Sequence, residues 1–296
     1  MRASIGLTIE TRKRLDEFFC AISGAAEPLL LLDYDGTLAP FRVDRFKSRP
    51  WAGVRTLLSQ IQNQEKTRMV VVTGRPANEI APLLGVEPAP EVWGLHGSER
   101  LYSDGRRELE QVPAAACARL KTLCGQLRGD AFGGLFEEKP NAVAVHWRGI
   151  PTAKAKTIEK RTRALFEPLA RMDGLNLLEF EAGLELRAGR DKGEAVKALL
   201  EETSDGMPHP AAYLGDDLTD EAAFRAIKGR GLGVLVRRRP RPTQADIWLR
   251  PPLQLRHFLK RWREACRGLE MDEFAARSGG LTAGHGERRE SIADGD

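Results

Sequence analysis

Hydrophobic and polar positions fall along this chain in two rhythms. Four consecutive leucines, Leu29 to Leu32, make an apolar run too short for a membrane span and suited to a buried parallel strand. Met69–Val72, Val92–Leu95 and Ala211–Leu214 repeat that pattern, and further strands are expected at Val234 and Trp248. Between these runs apolar residues recur at helical spacing. Leu15, Phe18, Phe19 and Ile22 place a helix over Ile9–Ile22. Others are expected over Trp51–Ile61, Asn78–Leu84 and Lys192–Glu202, up to Ile227, and over Leu253–Cys266. Strand and helix in alternation predict an α/β fold with a doubly wound parallel sheet.

From residue 107 to 187 the rhythm changes. The pattern there predicts a helix (Val112–Leu127), strands (Gly134–Glu138, Ala142–Trp147), a long helix (Thr152–Arg171) and two more strands (Leu175–Phe180, Leu184–Arg187) flanking a Glu181-Ala182-Gly183 turn. Such an order describes an α+β layer with an antiparallel sheet, inserted as a cap domain into a core of residues 28–106 and 188–267. Residues 1–27 are expected as a helical N-terminal extension, and 268–296, rich in Gly, Ser, Glu and Arg, as a disordered tail.

The 296 residues are 42% hydrophobic and 30% charged, which gives ample chain for a core. A net charge of +4 does not by itself argue for nucleic acid. Arg237-Arg238-Arg239-Pro240-Arg241 carries no interleaved aromatics and is read as a solvated loop. The four cysteines show no metal-ligand spacing and read as buried hydrophobes in a reducing compartment. With no signal-peptide run and no bilayer-spanning segment, a cytoplasmic protein with no membrane or nucleic-acid partner is expected.

Candidate chemistry lies where the apolar runs end. Leu32 is followed by Asp33-Tyr34-Asp35-Gly36-Thr37, whose two carboxylates, two residues apart on extended chain, face the same side. They would repel unless a hard divalent cation, most plausibly Mg²⁺, sat between them. Thr73 follows Val72 and offers a hydroxyl to a phosphoryl oxygen; Lys192 offers a positive charge; Asp216 and Asp217 follow Leu214-Gly215 and could complete an oxygen-ligand metal site. Each has a plain alternative, with Thr73 and Asp216 as helix caps and Lys192 as a solvated lysine. In the insert, Glu137 and Lys139, and His146 and Arg148, share the two-residue spacing of one strand face, which would equally suit a solvent-facing sheet.

D-x-D-G-T, a strand-ending Thr-Gly-Arg, Lys192-Gly193 and Gly215-Asp216-Asp217-Leu218-Thr219-Asp220-Glu221 together resemble the four motifs of the haloacid-dehalogenase-like (HAD) phosphohydrolases. Within that superfamily, Leu95-His96-Gly97-Ser98-Glu99, Glu137-x-Lys139, His146-x-Arg148 and Glu185-x-Arg187 are similar to the trehalose-6-phosphate phosphatases. Ala188 departs from the pattern, where a proline is expected. The resemblance implies a Mg²⁺-dependent phosphatase, monomeric, acting on a small sugar phosphate through an aspartyl-phosphate. It implies that Asp33 is the nucleophile and Asp35 the acid and base, and that Thr73 and Lys192 hold the transferred oxygens. It further implies Mg²⁺ on Asp33, the Asp35 carbonyl and Asp216, with Asp217 orienting Lys192 or a metal-bound water. Arg75, His96, Gly97, Ser98, Glu99, Glu137, Lys139, His146, Arg148, Glu185, Arg187 and Asp217 are the implied substrate-binding residues. The rivals are a capped phosphatase for another sugar phosphate, a phosphomutase and a catalytically silent sugar-phosphate sensor.

Overall fold

In the computed structural model, residues 9–42, 44–129, 132, 135–202 and 209–268 are described. The expected tail, residues 269–296, and Gly134 at the start of one expected strand lie outside them. Strand β1 (Leu29–Leu32) forms the middle of an eight-stranded sheet, paired in parallel with β2 (Arg68–Val72) on one side and β10 (Ala211–Gly215) on the other. Strands β11 (Gly231–Val236) and β12 (Ile247–Leu249) continue beyond β10, and β3 (Glu91–Gly94) beyond β2, all parallel. All four leucines of β1 are fully buried because helices cover both faces of the sheet. Leu30 and Leu32 face α1 (Ile9–Gly24), α2 (Val54–Gln62) and α8 (Leu253–Cys266); Leu29 and Leu31 face α6 (Lys192–Glu202) and α7 (Glu221–Ile227). The N-terminal helix is thus part of the core, with Phe19 against Phe258 and Phe18 against Trp262.

The chain leaves β1 toward β2 on one side and returns through β10 on the other. The carboxyl ends of β1 and β10 therefore flank a crevice, the usual ligand position in an open α/β sheet. Beyond α3 (Ile80–Leu84) and β3, two short antiparallel strands, β4 (Glu99–Leu101) and β5 (Arg107–Leu109), extend the sheet. Neither was legible as a strand, being short and polar, and β5 pairs with the large sheet although residues 107–109 had been expected to open the insert.

A second sheet follows, entirely antiparallel, in the order β6 (Phe136–Lys139), β7 (Ala142–His146), β9 (Gly183–Arg187), β8 (Asn176–Phe180). Helices α4 (Ala114–Gly129) and α5 (Thr152–Ala170) cover one face, packing on Val143, Val145, Leu184 and Leu186. By strict alternation the intervening residues point the other way. Glu137, Ala144 and Glu185 lie side by side across the three strands, as do Lys139, Ala142 and Arg187. That polar face looks onto the crevice of the large sheet.

Candidate active site

The floor of the crevice is built by the four loops that the apolar runs deliver. Asp33 follows β1 and its N–H donates to Leu214 C=O, which ties the loop to the neighbouring strand. Gly36, at φ +85°, turns the chain away; a Cβ there would fall on the Asp216 carboxylate, so only glycine lets the two acidic loops meet. Lys192, the first residue of α6, donates to Asp33 Oδ1 at 2.6 Å and to Asp220 Oδ1 at 2.7 Å. Carboxylate oxygens of Asp33, Asp216 and Asp220 lie within 4.8 Å of one another, all buried.

Three carboxylates against one ammonium leave an excess of negative charge. Burial, with Asp220 and Asp35 adding to it and Lys192 opposing it, pushes the Asp33 carboxyl up to about 7. Burial and the carboxylate of Asp33 raise Asp216 as well. Asp33 Oδ2 and Asp216 Oδ1 are buried and accept no hydrogen bond. Asp220, by contrast, is saturated: Oδ1 accepts from Lys192 and Tyr213, and Oδ2 accepts from the N–H groups of Asp216 and Asp217. An all-oxygen donor set with two orphaned anionic atoms fits a hard cation such as Mg²⁺ on Asp33 and Asp216, with Asp220 outside the ligand shell.

Asp35 is held differently. Its two oxygens accept from Arg75 Nε at 2.6 Å and Nη2 at 2.7 Å, a bidentate pair at the cleft edge. This ion pair already partners both Asp35 oxygens, unlike the orphaned atoms of Asp33 and Asp216. Thr73 lines the crevice, and its hydroxyl also accepts from Arg75 N at 3.2 Å, so the capping role weighed from sequence and the cleft position coexist. Asp217 caps the turn Leu218–Asp220 and accepts from Glu181 N of the insert. The carboxylate on Lys192 is therefore that of Asp220, not Asp217. Its sequence signal, an acid three residues after a cap, pointed to the turn and not to the lysine.

The roof is the polar face of the small sheet. Lys139 donates to Glu185 Oε2 at 2.7 Å, while Glu137 accepts from Arg45 at 2.9 Å and lies 3.3 Å from His146 Nε2. The hydrogen bond from His146, with Lys139 and Arg45 nearby, holds the Glu137 carboxyl down to about 2 against its burial. Burial works against Glu185 too, but Lys139, His96 and Arg187 outweigh it and lower it to about 2. His96, at φ +57° between Leu95 (φ +48°) and Gly97 (φ +112°), is forced into the cleft by three consecutive left-handed residues. Burial keeps its imidazole well below the usual histidine range. Floor and roof enclose about 410 Å³, a size suited to a small ligand.

Five sequence candidates do not line this space. Gly97 packs against α6, where a Cβ would approach Ala195 Cβ to 2.8 Å. Arg187 is buried between the two layers and donates to Leu95 C=O at 2.5 Å and Ser98 Oγ at 3.0 Å. Glu99 accepts from Ala77 N and Arg107, bracing the neighbouring loops. Arg148 stacks on Phe41, 4.5 Å from the ring centre. The basic run is also not wholly solvated: Arg241 donates to Asp217 C=O at 2.6 Å and Arg237 to Asp216 C=O at 3.4 Å, while Arg238 and Arg239 stay exposed. Phe41, Arg42 and Arg45, from the loop after β1, line the cleft with no motif to announce them.

Residues 31–250, which include every cleft residue named above, match the family model described as trehalose-phosphatase. The chain belongs to the trehalose-phosphatase family. Among its relatives, a trehalose-phosphate phosphatase of Mycobacterium marinum is 30% identical over 246 residues, covering 79% of this chain and 61% of the relative. A probable trehalose-phosphate phosphatase 9 of Oryza sativa subsp. japonica is 26% identical over 277 residues. The chain thus spans less than two thirds of the length of the mycobacterial protein. Of solved structures, the C-terminal domain of a C. albicans trehalose-6-phosphate phosphatase shares the fold with a TM-score of 0.72 at 21% identity, over 84% of this chain and 96% of that one. A haloacid dehalogenase-like hydrolase from B. subtilis shares it at a TM-score of 0.54. Capped HAD architecture and trehalose-phosphatase membership therefore agree. Among the described residues no helix is long and apolar enough to cross a membrane.

Proposed function

We propose that this protein is a Mg²⁺-dependent phosphatase that hydrolyses trehalose 6-phosphate to trehalose and phosphate. The observation that carries it is the pairing of a buried, orphaned Asp33 and Asp216 beside Lys192 with an ion-paired polar roof above, within a trehalose-phosphatase sequence. Asp33 attacks phosphorus to give an aspartyl-phosphate, and Asp35 protonates the departing sugar oxygen and then takes a proton from the hydrolytic water. For this Asp35 must leave its Arg75 partner and take up a proton from solvent, which it gives to the sugar oxygen and regains from the hydrolytic water; the arriving phosphate, itself anionic, competes for the same guanidinium. Lys192 and Thr73 hold the phosphoryl oxygens. Mg²⁺ on Asp33, Asp216 and the Asp35 carbonyl would remove the repulsion between carboxylate and phosphate.

Residues 28–106 and 188–267 are taken as the catalytic core and 107–187 as the cap that selects substrate, with β5 as the passage between them. Sugar hydroxyls exchange into the roof pairs of Glu137, Lys139, His146 and Glu185, which supply both donors and acceptors. Arg148, Arg187, Ser98, Glu99 and Gly97 support this surface from behind or beside it. The protein works as a cytoplasmic monomer, with no nucleic acid or membrane partner. Phosphate release from trehalose 6-phosphate, with and without Mg²⁺, tests the reading. Faster release from sucrose 6-phosphate or a hexose monophosphate overturns the substrate; isomerised sugar phosphate without free phosphate points to a mutase.

A further inference from the structure

Arg45 belongs to none of the four motifs, yet its side chain lines the cleft and joins a carboxylate of the core to a carboxylate of the cap. Its Nη2 donates to both oxygens of Glu79, at 2.5 and 2.7 Å, and its Nη1 to Glu137 Oε1 at 2.9 Å. Glu79 lies in the turn Ala77–Glu79 of the core; Glu137 lies on β6 of the cap. The loop carrying Arg45 is anchored from below. Tyr34, next to the nucleophile, donates its hydroxyl to Ser48 C=O at 2.7 Å, and Ser48 Oγ donates to Pro40 C=O at 2.7 Å. Asp44 caps the turn Arg45–Lys47 through Phe46 N at 3.0 Å.

Charges alternate along this path. Asp35 pairs with Arg75, Arg75 lies 3.6 Å from Glu79, Glu79 pairs with Arg45, and Arg45 with Glu137, whose other oxygen faces His146. Both oxygens of Glu137 are thereby oriented by neighbours, and each keeps a lone pair for a hydroxyl donor. A planar fork is needed to reach two carboxylates at once; an ammonium on a flexible stem can serve only one of them well.

We propose that Arg45 is a positioning residue for substrate specificity, bridging Glu79 of the core to Glu137 of the cap and so fixing where the cap meets the sugar. This rests on the sugar-phosphate reading above for the role of Glu137. Arg45 is expected to act on recognition more than on phosphoryl transfer: it touches neither Asp33 nor Lys192, and it reaches Asp35 only through Glu79 and Arg75.

The test compares Arg45→Ala, Arg45→Lys and the native protein in steady-state phosphate release with Mg²⁺, using trehalose 6-phosphate and the small ester p-nitrophenyl phosphate. Arg45→Ala is expected to raise KM for trehalose 6-phosphate about tenfold with kcat changed less than about threefold, and to alter kcat/KM for the small ester less than about threefold. Arg45→Lys is expected to fall between the two, since charge without the fork restores one contact only. An unchanged KM, an equal fall for both esters, or full rescue by lysine overturns the proposal. Hydrogen exchange supplies a readout that needs no substrate: Arg45→Ala should speed amide exchange in Phe136–Lys139 while leaving Leu29–Leu32 unchanged. Failure of the native protein to cleave trehalose 6-phosphate would remove the substrate assignment alone, and the exchange result would then decide whether Arg45 is the bridge.

Discussion

Two lysines, Lys192 in the floor of the cleft and Lys139 in its roof, each hold a buried carboxylate, and their surroundings drive those carboxylates in opposite directions. Around Lys192 crowd Asp33, Asp216 and Asp220, and the acids are pushed up, Asp33 to about 7. Around Glu185 stand Lys139, His96 and Arg187, and the acid is drawn down to about 2. The floor carries an excess of buried negative charge that a bound cation would relieve; the roof already pairs its charges. The difference fits the proposed division of labour, in which the floor would take metal and phosphate and the roof would offer paired groups that can trade partners with hydroxyls.

The floor is the more vulnerable of the two. Asp33→Asn removes the proposed nucleophile, and phosphate release is expected to fall by at least about 10⁴-fold with the protein still folded. Thermal unfolding beside the assay checks both halves, and residual turnover within about tenfold of native would take the nucleophile's role from Asp33. Removing metal with a chelator should bring phosphate release to background. Restoring Mg²⁺ to a hundredfold excess over its Kd should stabilise the fold by about 2.7 kcal/mol, read as a rise in Tm that Asp216→Asn abolishes.

Asp220→Asn probes the member of the acidic triad whose carboxylate oxygens are already taken up by protein donors. All four groups that meet the Asp220 carboxylate are donors: Lys192, Tyr213 O–H and two backbone N–H groups. An amide must turn its own NH₂ toward a pair of them. The expected loss is about 3–5 kcal/mol in urea unfolding, because a buried donor cluster is left facing a donor. A loss below about 1 kcal/mol would mean that Asp220 is not the anchor of Lys192.

How far the sequence foretold these two regions also differs. The floor was legible because Asp33, Thr73 and Asp216 sit at the ends of short apolar runs, where a strand must stop and a loop must begin, and Lys192-Gly193 opens a helix; all four converge in one crevice. The α/β core with an antiparallel insert was legible for the same reason. What escaped is what depends on pairing at a distance. Asp220 reads as part of a turn, Arg45 as an ordinary loop arginine, and Arg237 and Arg241 as solvated charge, until folding brings a carbonyl or carboxylate opposite each. Strands β4 and β5 escaped because three residues, two charged and one leucine in each, are too few to carry a periodicity. The departure at Ala188 has a local reason: its N–H donates to Asn141 C=O at 2.8 Å, a bond proline cannot make.

The roof gives the gentlest effect, and one whose pH dependence has a definite sign. Lys139→Met leaves Glu185 buried with His96 and Arg187 as its remaining positive or polar neighbours, and should cost about 1–3 kcal/mol at neutral pH. In the native protein the Glu185 carboxyl is depressed from its ordinary 4.5 to about 2. A depressed acid contributes stability that is fully present above its unfolded value and is lost as pH falls through the folded one. The stability gap between native protein and Lys139→Met should therefore stay constant above about pH 5 and narrow between about pH 4.5 and pH 2. His96, kept neutral by burial, lowers the stability of both proteins as pH falls through the ordinary histidine value of 6.5, where the unfolded imidazole takes up a proton, and so largely cancels from the gap. Denaturant unfolding of both proteins across that range measures the gap. A gap that widened on acidification would mean that Lys139 is not what keeps Glu185 ionised, and the self-balanced roof would lose its foundation.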